Sequence, residues 1–419
     1  MPGSILIASS LDTKGQEVKF LRELIEQKGQ KVILLDIGMR GKPIIPADIP
    51  REDVARAGGT SIEEIRTSNK SREEITSIMT KGAIKKTIEL YQAGKLDGIV
   101  GVGGISNTTI ATDIMKALPF GVPKLMVSSG AAMPSYAGGF FGSSDIIIMS
   151  SVVDMAGLNE LSQSVLIRAA GAICGMVETG AGAVMDSLKQ TEKPLIAMTE
   201  FNYSERCCKL VRQYLEEKGY KVIPCHAQGV GDRAMDKLFE QGIFDGTVDI
   251  VPSGLSEELL GGNRAAGPDR LEAAGKRGIP QIITPCGFDM ISCGPLQRKD
   301  SNDPLWVSRN LARRNYYVHD SYRVQARTNV EELRLIAKTV AEKLNRAKGP
   351  VKFLIPLKGW STLSVKGQAL YAPEVDKVFV EELRKHLKPE IEVREIDEHL
   401  NTSKFAMAVA EAFDEVMVP

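Results

Sequence analysis

The sequence predicts an α/β protein with two tandem domains, each built on a mainly parallel sheet. Three observations carry this prediction. Short apolar runs alternate with stretches whose apolar residues recur at helical spacing, as in βαβ units. One apolar run, residues 96–102, passes into closely spaced glycines and then into another helical pattern. The same order of signals begins again near residue 194.

The bulk composition limits what the protein binds. At 419 residues the chain is too long for one ordinary core, which agrees with two domains. Lys and Arg total 53, and so do Asp and Glu, so net charge gives no reason to expect a nucleic acid or an anionic membrane as a partner.

Cysteine and histidine usage gives no sign of a metal site. The six cysteines form no C-x-x-C pair and the four histidines are scattered, so we expect no bound structural metal and a reducing compartment. The N-terminus has no basic region before a long apolar run, and no run approaches about 18 apolar residues. We therefore expect a cytoplasmic protein with no membrane partner.

The first βαβ unit begins with a strand at 5–8 and ends with a strand at 32–37. The turn between its first strand and helix is not G-x-G-x-x-G, which argues against NAD. Asp12 or Thr13 is the expected helix cap. Lys14 lies at the positive end of the helix dipole, where either a bound anion explains it or its stem lies on the surface with the head in water.

Two further features of the first half bear on a ligand. Asp36 ends the second strand, where dinucleotide-binding folds hold a ribose hydroxyl. Residues 39–81 lose the regular pattern and are interpreted as a flap insertion. Within it, Arg72 lies close to a helix start, either as a phosphate partner or as an ordinary exposed arginine.

The stretch 96–110 is the centre of the predicted site. Gly103 and Gly104 separate a buried strand from a helix that begins near Ile105, Ser106 and Asn107. Glycines let backbone N–H groups approach an anion closely, and the helix start adds donors and a positive dipole end. The alternative is that the two glycines only turn the chain above a packed sheet.

A restart of the pattern sets the domain boundary. Residues 219–223 echo 29–33, and 244–246 echo 96–98. The chain is therefore divided into domains 1–190 and 191–419, with the joint at 189–192. A helix rich in small residues, 162–177, is expected to pack against another surface, such as a second copy of the chain.

The second half supplies candidate catalytic groups but no complete motif. Neither a P-loop nor a G-x-S-x-G elbow occurs in the sequence. Possible acid, base or binding groups are Glu200, His226, Arg264, Asp289 and His319, with Asn202 and Ser253 beside them. Cys207 and Cys208, early in a predicted helix, are interpreted as small buried groups. A further helix is predicted to begin at Pro268.

Four motifs together resemble one known family, that of the N-terminal domain of the tomato tobamovirus-resistance protein. They are residues 12–14 (DTK), 101–104 (GVGG), 151–154 (SVVD) and 265–271 (AAGPDRL). The resemblance implies two Rossmann-like domains whose sheets face a central cleft, a homodimer, and ATP in the first domain. By matching motif, it implies nucleotide contacts from Asp12, Thr13, Lys14, Met39, Arg72 and the segment Gly103, Gly104, Ile105, Ser106, Asn107.

The resemblance leads to one main hypothesis and two alternatives. The main hypothesis is an ATP-binding dimer with no assigned reaction, Mg²⁺ as an optional bridging ion, and a second substrate in the interdomain cleft. The alternatives are a nucleotide-sugar or sugar-acid enzyme and a non-catalytic ATP-gated interaction module. The tomato protein continues into a barrel domain that this chain lacks, so a separate barrel-domain protein is an expected partner.

Overall fold

The computed structural model describes residues 2–180 and 191–417. The chain divides into two compact units, Met1–Leu188 and Lys189–Pro419. The first two residues of the joint predicted at 189–192 lie outside the described residues.

The first unit is built on a five-stranded sheet in which every neighbouring pair is parallel. Its strands are β1 Ser4–Ser9, β2 Lys31–Asp36, β3 Gly98–Gly103, β4 Lys124–Ser128 and β5 Ile147–Ser150. In the described residues its helices are α1 Leu11–Gln27, α2 Arg51–Ala57, α3 Ile62–Thr67, α4 Arg72–Gln92, α5 Ile105–Ala117, α6 Pro134–Phe141 and α7 Glu160–Glu178.

Alternate residues of each central strand pack on opposite faces of this sheet. Ile5 and Ile7 of β1 join a buried cluster with α1 and α7. Leu6 and Ala8 join a second cluster with the helices of the flap and α5. Parallel strands covered by helices on both faces read as continuous apolar runs, which is why the sequence located them.

The second unit is built on a six-stranded sheet whose neighbouring strands are also parallel. Its strands are β6 Leu195–Glu200, β7 Lys221–His226, β8 Gly246–Asp249, β9 Gln281–Ile283, β13 Val351–Pro356 and β14 Glu392–Ile396. Its helices in the described residues are α8 Glu205–Glu217, α9 Val230–Glu240, α10 Gly254–Leu260, α11 Ala273–Arg277, α12 Pro304–Ser308, α13 Val330–Leu344, α14 Pro373–His386 and α15 Ser403–Met417. An α/β fold with two mainly parallel sheets is thereby confirmed.

Three shorter strands of the second unit form an antiparallel sheet that the sequence pattern did not predict. They are β10 Met290–Ser292, β11 Tyr316–Val318 and β12 Val324–Arg327, in the order β10-β12-β11. Each is only three or four residues long. Apolar alternation is hard to detect over so few residues.

Two predicted boundaries differ from the structure. The end of the flap at residue 81 falls inside α4, which runs unbroken from Arg72 to Gln92. The helix expected from Pro268 begins only at Ala273. Leu271 explains the delay, because its φ of 73° is in the left-handed region and a helix cannot include it.

The sequence echo between the halves has a structural cause. Gly29 and Gly219 follow the ends of α1 and α8, with φ of 83° and 95°, and each leads into the second strand of its unit. A residue in this left-handed position after a helix is most often glycine, since a Cβ is disfavoured there. The strand orders also correspond, β2-β1-β3-β4 in the first unit and β7-β6-β8-β9 in the second.

The AAGPDRL motif contributes a buried ion cluster to the second unit. Arg270 is buried and donates from Nε to Asp232 at 3.0 Å and from Nη2 to Asp249 at 2.5 Å. Asp236 of α9 lies beside this cluster. Burial, helped by the neighbouring carboxylates, raises the pKa of Asp236 to about 7. The arginine of the motif is therefore a structural ion partner.

This cluster predicts a pH-dependent stability. The folded protein keeps a proton on Asp236 up to about pH 7, whereas an unfolded chain releases it near pH 4. The folded state thus binds more protons between these values, so the stabilisation from this group is complete below about pH 4 and lost as pH rises through about 7. We expect Asp236→Asn to lose less thermal stability than the wild type between pH 5 and pH 8.

Thermal unfolding followed by circular dichroism at both pH values measures this difference. Asp300→Asn, at an exposed acid of the same unit, is the control and should follow the wild type. Equal losses in wild type and Asp236→Asn would contradict the assignment.

Candidate functional site

The first unit contains a cavity of about 1130 Å³ at the carboxyl ends of its strands. Its lining residues come from the segments that follow each of the five strands. The sheet order brings β1 beside β3, so the chain leaves these two strands toward opposite sides of the sheet. Such a switch point is where open α/β sheets bind ligands.

The glycine turn after β3 has the predicted strand, turn and helix order. Gly103 has a φ of 151°, and a Cβ there would lie 2.4 Å from Nδ2 of Asn107. Gly104 is the N-cap of α5 and has no side chain to occupy the helix donors. The first-turn N–H groups of α5 have no intrahelical partners and lie at the cavity.

Asn107 ties the ends of β1 and β3 together. Its Oδ1 accepts from the Ser10 hydroxyl at 2.6 Å. Its Nδ2 donates to the Val102 carbonyl at 3.1 Å and to the Ser9 hydroxyl at 3.4 Å. Although Asn107 lines the cavity, its side-chain amide is engaged in holding the two strands.

The helix cap predicted at Asp12 or Thr13 is wrong, because α1 already begins at Leu11. The Asp36 carboxylate takes the capping role and accepts from the N–H groups of Leu11 at 3.0 Å and Gly38 at 2.8 Å. This also explains Asp36 without a ribose. Burial raises the pKa of this carboxyl above its usual value.

Asp12 and Thr13 both line the cavity as inner residues of α1. Oδ2 of Asp12 accepts from the Gly41 N–H at 2.8 Å. Its Oδ1 is buried and has no hydrogen-bond partner in the part of the chain that the structure describes. Met39, a further predicted contact, lines the same cavity and packs against the core of the unit.

Five basic side chains line the cavity. Lys14 and Arg72 are the two that the sequence and the resemblance indicated, and Arg40, Arg66 and Lys70 were missed. In the parts of the chain that the structure describes, none of the five forms an ion pair with a carboxylate. In the sequence, three basic residues lie between 66 and 72 around a helix start, and this grouping was the signal that could have identified Arg66 and Lys70.

The hydrogen bonds of these cations go to neutral oxygens. Lys14 donates from Nζ to the carbonyl of Met155. Arg72 donates to the Ser106 hydroxyl at 2.9 Å, and Arg66 donates to the Arg40 carbonyl at 3.4 Å. The acids on the cavity wall are Asp12 and Asp154, so five positive charges face two negative ones.

Among the second-unit candidates, Glu200 and His226 are adjacent. They are the last residues of β6 and β7 and pair in register. Ser253 is fully buried, and its hydroxyl has no partner. His319 contacts the rings of Tyr203 and Tyr317.

Arg264 and Asp289 are both engaged inside the second unit. The guanidinium of Arg264 donates to Glu257 at 2.9 and 2.5 Å and lies 4.4 Å above the Phe201 ring. Asp289 accepts from the Ser361 hydroxyl at 2.6 Å and from a backbone N–H. Both side chains are buried and serve structural contacts, and a catalytic role for either stays a prediction.

The described residues contain neither a candidate metal cluster nor a candidate membrane-spanning helix. Within 2–180 and 191–417, no three His, Cys, Asp or Glu side chains are grouped so that they could hold a metal ion. Over the same ranges, no helix has the length and apolar character needed to cross a membrane.

Comparison with protein families gives matches over both units. The description "Uncharacterised protein family (UPF0261) N-terminal domain" matches residues 3–181, and the C-terminal domain of the same family matches 193–417. The resemblance inferred from the four sequence motifs is confirmed, because the tomato protein is among the relatives that follow.

Three relatives illustrate the range of similarity. A UPF0261 protein of Clostridium tetani is 36% identical over 421 residues, which cover 100% of both chains. One from Brucella suis is 32% identical and covers 98% of this chain and 94% of its own length. The ToMV resistance protein Tm-1(GCR237) of Solanum lycopersicum is 28% identical over 98% of this chain, which spans 55% of the tomato protein.

Similarity to solved structures is weak. A UDP-N-acetylglucosamine 2-epimerase from Rickettsia bellii aligns over 67% of this chain and 79% of its own, with 12% identity and a TM-score of 0.22. The Streptomyces glycosyltransferase SsfS6 aligns over 99% and 96%, with 11% identity and a TM-score of 0.18. Similarity at this level says nothing about function.

The role of Asn107 as a tie is testable through stability. Asn107→Ala leaves the Ser10 hydroxyl without this partner and removes one of the two side-chain hydrogen bonds to the Val102 carbonyl, which keeps the Ser9 hydroxyl at 2.8 Å. We therefore expect a loss of about 1–3 kcal/mol in the free energy of unfolding. Thr109→Ala, at a half-buried position of the same helix whose hydroxyl donates only to the Ile105 carbonyl one turn earlier, should stay within about 0.5 kcal/mol of the wild type. Denaturant unfolding measures both, and equal effects would contradict the role.

Proposed function

Because the chain belongs to the uncharacterised protein family UPF0261, whose resemblance to the tomato protein implies ATP, we propose that the first unit binds ATP. The phosphates lie against the first turn of α5, between Lys14 and Arg72. The cavity is at the switch point of the sheet, where a ligand is expected on general grounds.

The observation that carries this proposal is the set of five unpaired cations, the five basic side chains of the cavity that form no ion pair within residues 2–180 and 191–417. Like charges around one cavity repel each other, and the two acids on its wall compensate only part of the charge. A polyphosphate supplies the missing negative charge and accepts the directional hydrogen bonds that arginine and lysine donate. The uncapped N-terminus of α5 adds further donors.

A magnesium ion is compatible with the same cavity. Mg²⁺ usually binds through one or two carboxylates together with substrate phosphates. Asp12 has a buried carboxylate oxygen without a partner, and Asp154 lies on the same wall. These two acids are the proposed protein ligands of a bridging Mg²⁺.

Product analysis after incubation with ATP decides between an enzyme and a binding module. Conversion of ATP to a product supports a reaction, whereas saturable binding of unchanged ATP supports an ATP-gated interaction module.

All six cysteines are free thiols, which supports the cytoplasm as the compartment.

Removing single cations should weaken ATP binding. We expect Lys14→Ala and Arg66→Ala each to lose about 1–3 kcal/mol of binding free energy, the scale for a hydrogen bond to a charged group. Lys19→Ala, an exposed lysine on α1 away from the cavity, is the matched control. Calorimetric titration with ATP, ADP and NAD, with and without Mg²⁺, measures the affinities. Wild-type ATP affinity in both cavity variants would refute the proposal.

The proposed assembly is a homodimer through α7. Ile167 on this helix is 51% exposed, and Leu161 is 62% exposed. Gly171 and Gly175 follow Ile167 at steps of four, and no atom of the described residues lies within 4 Å of where their Cβ atoms would be. A helix face of this kind allows a second helix to approach closely, and the family resemblance implies a second copy of the chain.

A positive charge introduced on the exposed face of α7 should dissociate the proposed homodimer. Ile167→Lys is expected to change the mass in sedimentation equilibrium from that of two chains to that of one. Leu335→Lys, on an exposed position of α13 in the second unit, should leave the mass unchanged. A dimer that persists in Ile167→Lys would place the interface elsewhere.

A further inference from the structure

One wall of the cavity is apolar and exposed. Ile105, Met133 and Val152 line it and are 40%, 44% and 87% exposed. They follow β3, β4 and β5, whereas the five unpaired cations follow β1 and β2. Other apolar lining residues, such as Ile65 and Ile110, are buried in the core. The exposed apolar side chains of the cavity are therefore grouped after β3, β4 and β5, and Lys14 and Arg72 reach the same segments through the Met155 carbonyl and the Ser106 hydroxyl.

Val152 is held in a strained turn on the apolar side. The N–H of Val153 donates to the Ser151 carbonyl at 2.6 Å, which closes a γ-turn around Val152. The φ of Val152 is 64°, a region that β-branched residues rarely adopt. Such a conformation persists only where surrounding contacts impose it, and it concentrates at ligand sites.

Local hydrogen bonds hold this turn, because the Ser151 hydroxyl donates to the Val153 carbonyl at 2.5 Å and the N–H of Val152 donates to the Ser150 hydroxyl at 3.3 Å. The two residues that follow the turn are held by groups of the cavity. Lys14 donates to the carbonyl of Met155, and Ser129 donates to Asp154 at 3.1 Å. The Val152 side chain adds almost nothing to the core, because it is 87% exposed. Its apolar surface is therefore available to a ligand in the cavity.

We propose that Val152, together with Ile105 and Met133, seats the base of the nucleotide. The phosphates stay against the first turn of α5 between Lys14 and Arg72, and the base lies toward β4 and β5, where Met133 and Val152 line the cavity. The inference rests on the proposed binding of ATP.

The binding of two different ligands distinguishes the contact with the base, made by Val152, Ile105 and Met133, from the contact with the phosphates. ATP carries a base and a triphosphate, whereas inorganic tripolyphosphate carries the phosphates alone. Val152→Gly should raise the Kd for ATP about tenfold, the effect of losing an apolar side-chain contact, and leave tripolyphosphate binding unchanged. Its thermal midpoint should not fall, since relief of strain offsets the added freedom of glycine in the unfolded chain.

Two further variants test whether the effect of Val152→Gly on ATP binding comes from a change of fold. Val152→Thr keeps the branched shape and should also weaken ATP selectively, because the hydroxyl replaces an apolar methyl. Val307→Thr, at a valine that is 62% exposed in the second unit, should bind both ligands as the wild type does.

The outcomes distinguish this inference from the proposed function. Wild-type ATP affinity in both Val152 variants, or equal losses for ATP and tripolyphosphate, would overturn the base seat while ATP binding stands. A wild-type protein that binds tripolyphosphate but no ATP would overturn both. Selective loss of ATP, with Lys14→Ala losing both ligands, is the expected result.

Discussion

The candidate site depends on how the ends of β1 and β3 are held. Parallel strands leave their carboxyl ends at one edge, and the chain departs from β1 and β3 toward opposite sides, so an opening forms between them. Asn107 and Ser9 link the two strand ends, because Asn107 binds Ser10 and the Val102 carbonyl at once and the Ser9 hydroxyl donates to the same carbonyl at 2.8 Å. Gly103 makes the tie possible, since a Cβ at that position would meet the Asn107 side chain.

The basic side chains of the two units have different kinds of partner, although the strand orders of the units correspond. In the second unit, Arg264 and Arg270 are buried and paired with Glu257, Asp232 and Asp249. In the first, the hydrogen bonds of the cavity cations go to neutral oxygens, and none of the five forms an ion pair in the described residues, although the charge of Lys70 acts on Glu64 and Glu74. Paired buried ions hold a fold together, whereas unpaired cations around an open cavity are suited to an external anion.

The sequence predicted features whose causes are local. Buried parallel strands appear as apolar runs, and the glycines at 29, 219 and 103 occupy backbone positions where a side chain is excluded or disfavoured. The same local reasoning found the strand, turn and helix around Gly104. It assigned the cap of α1 to the wrong residues, because Asp36, which accepts from Leu11, is 25 positions away in the chain.

Features that depend on tertiary contacts could not be predicted from the sequence, because the residues involved lie far apart along the chain. Arg40, Arg66 and Lys70 reach the cavity only because the flap helices fold over the sheet, and no spacing rule encodes that path. The burial of Asp289 likewise depends on Ser361, 72 residues later. Once those contacts are known, Arg264 and Asp289 are explained by the fold, and the Glu200 and His226 pair becomes the stronger catalytic candidate in the second unit. Both side chains end neighbouring strands, and neither forms a side-chain hydrogen bond within the described residues.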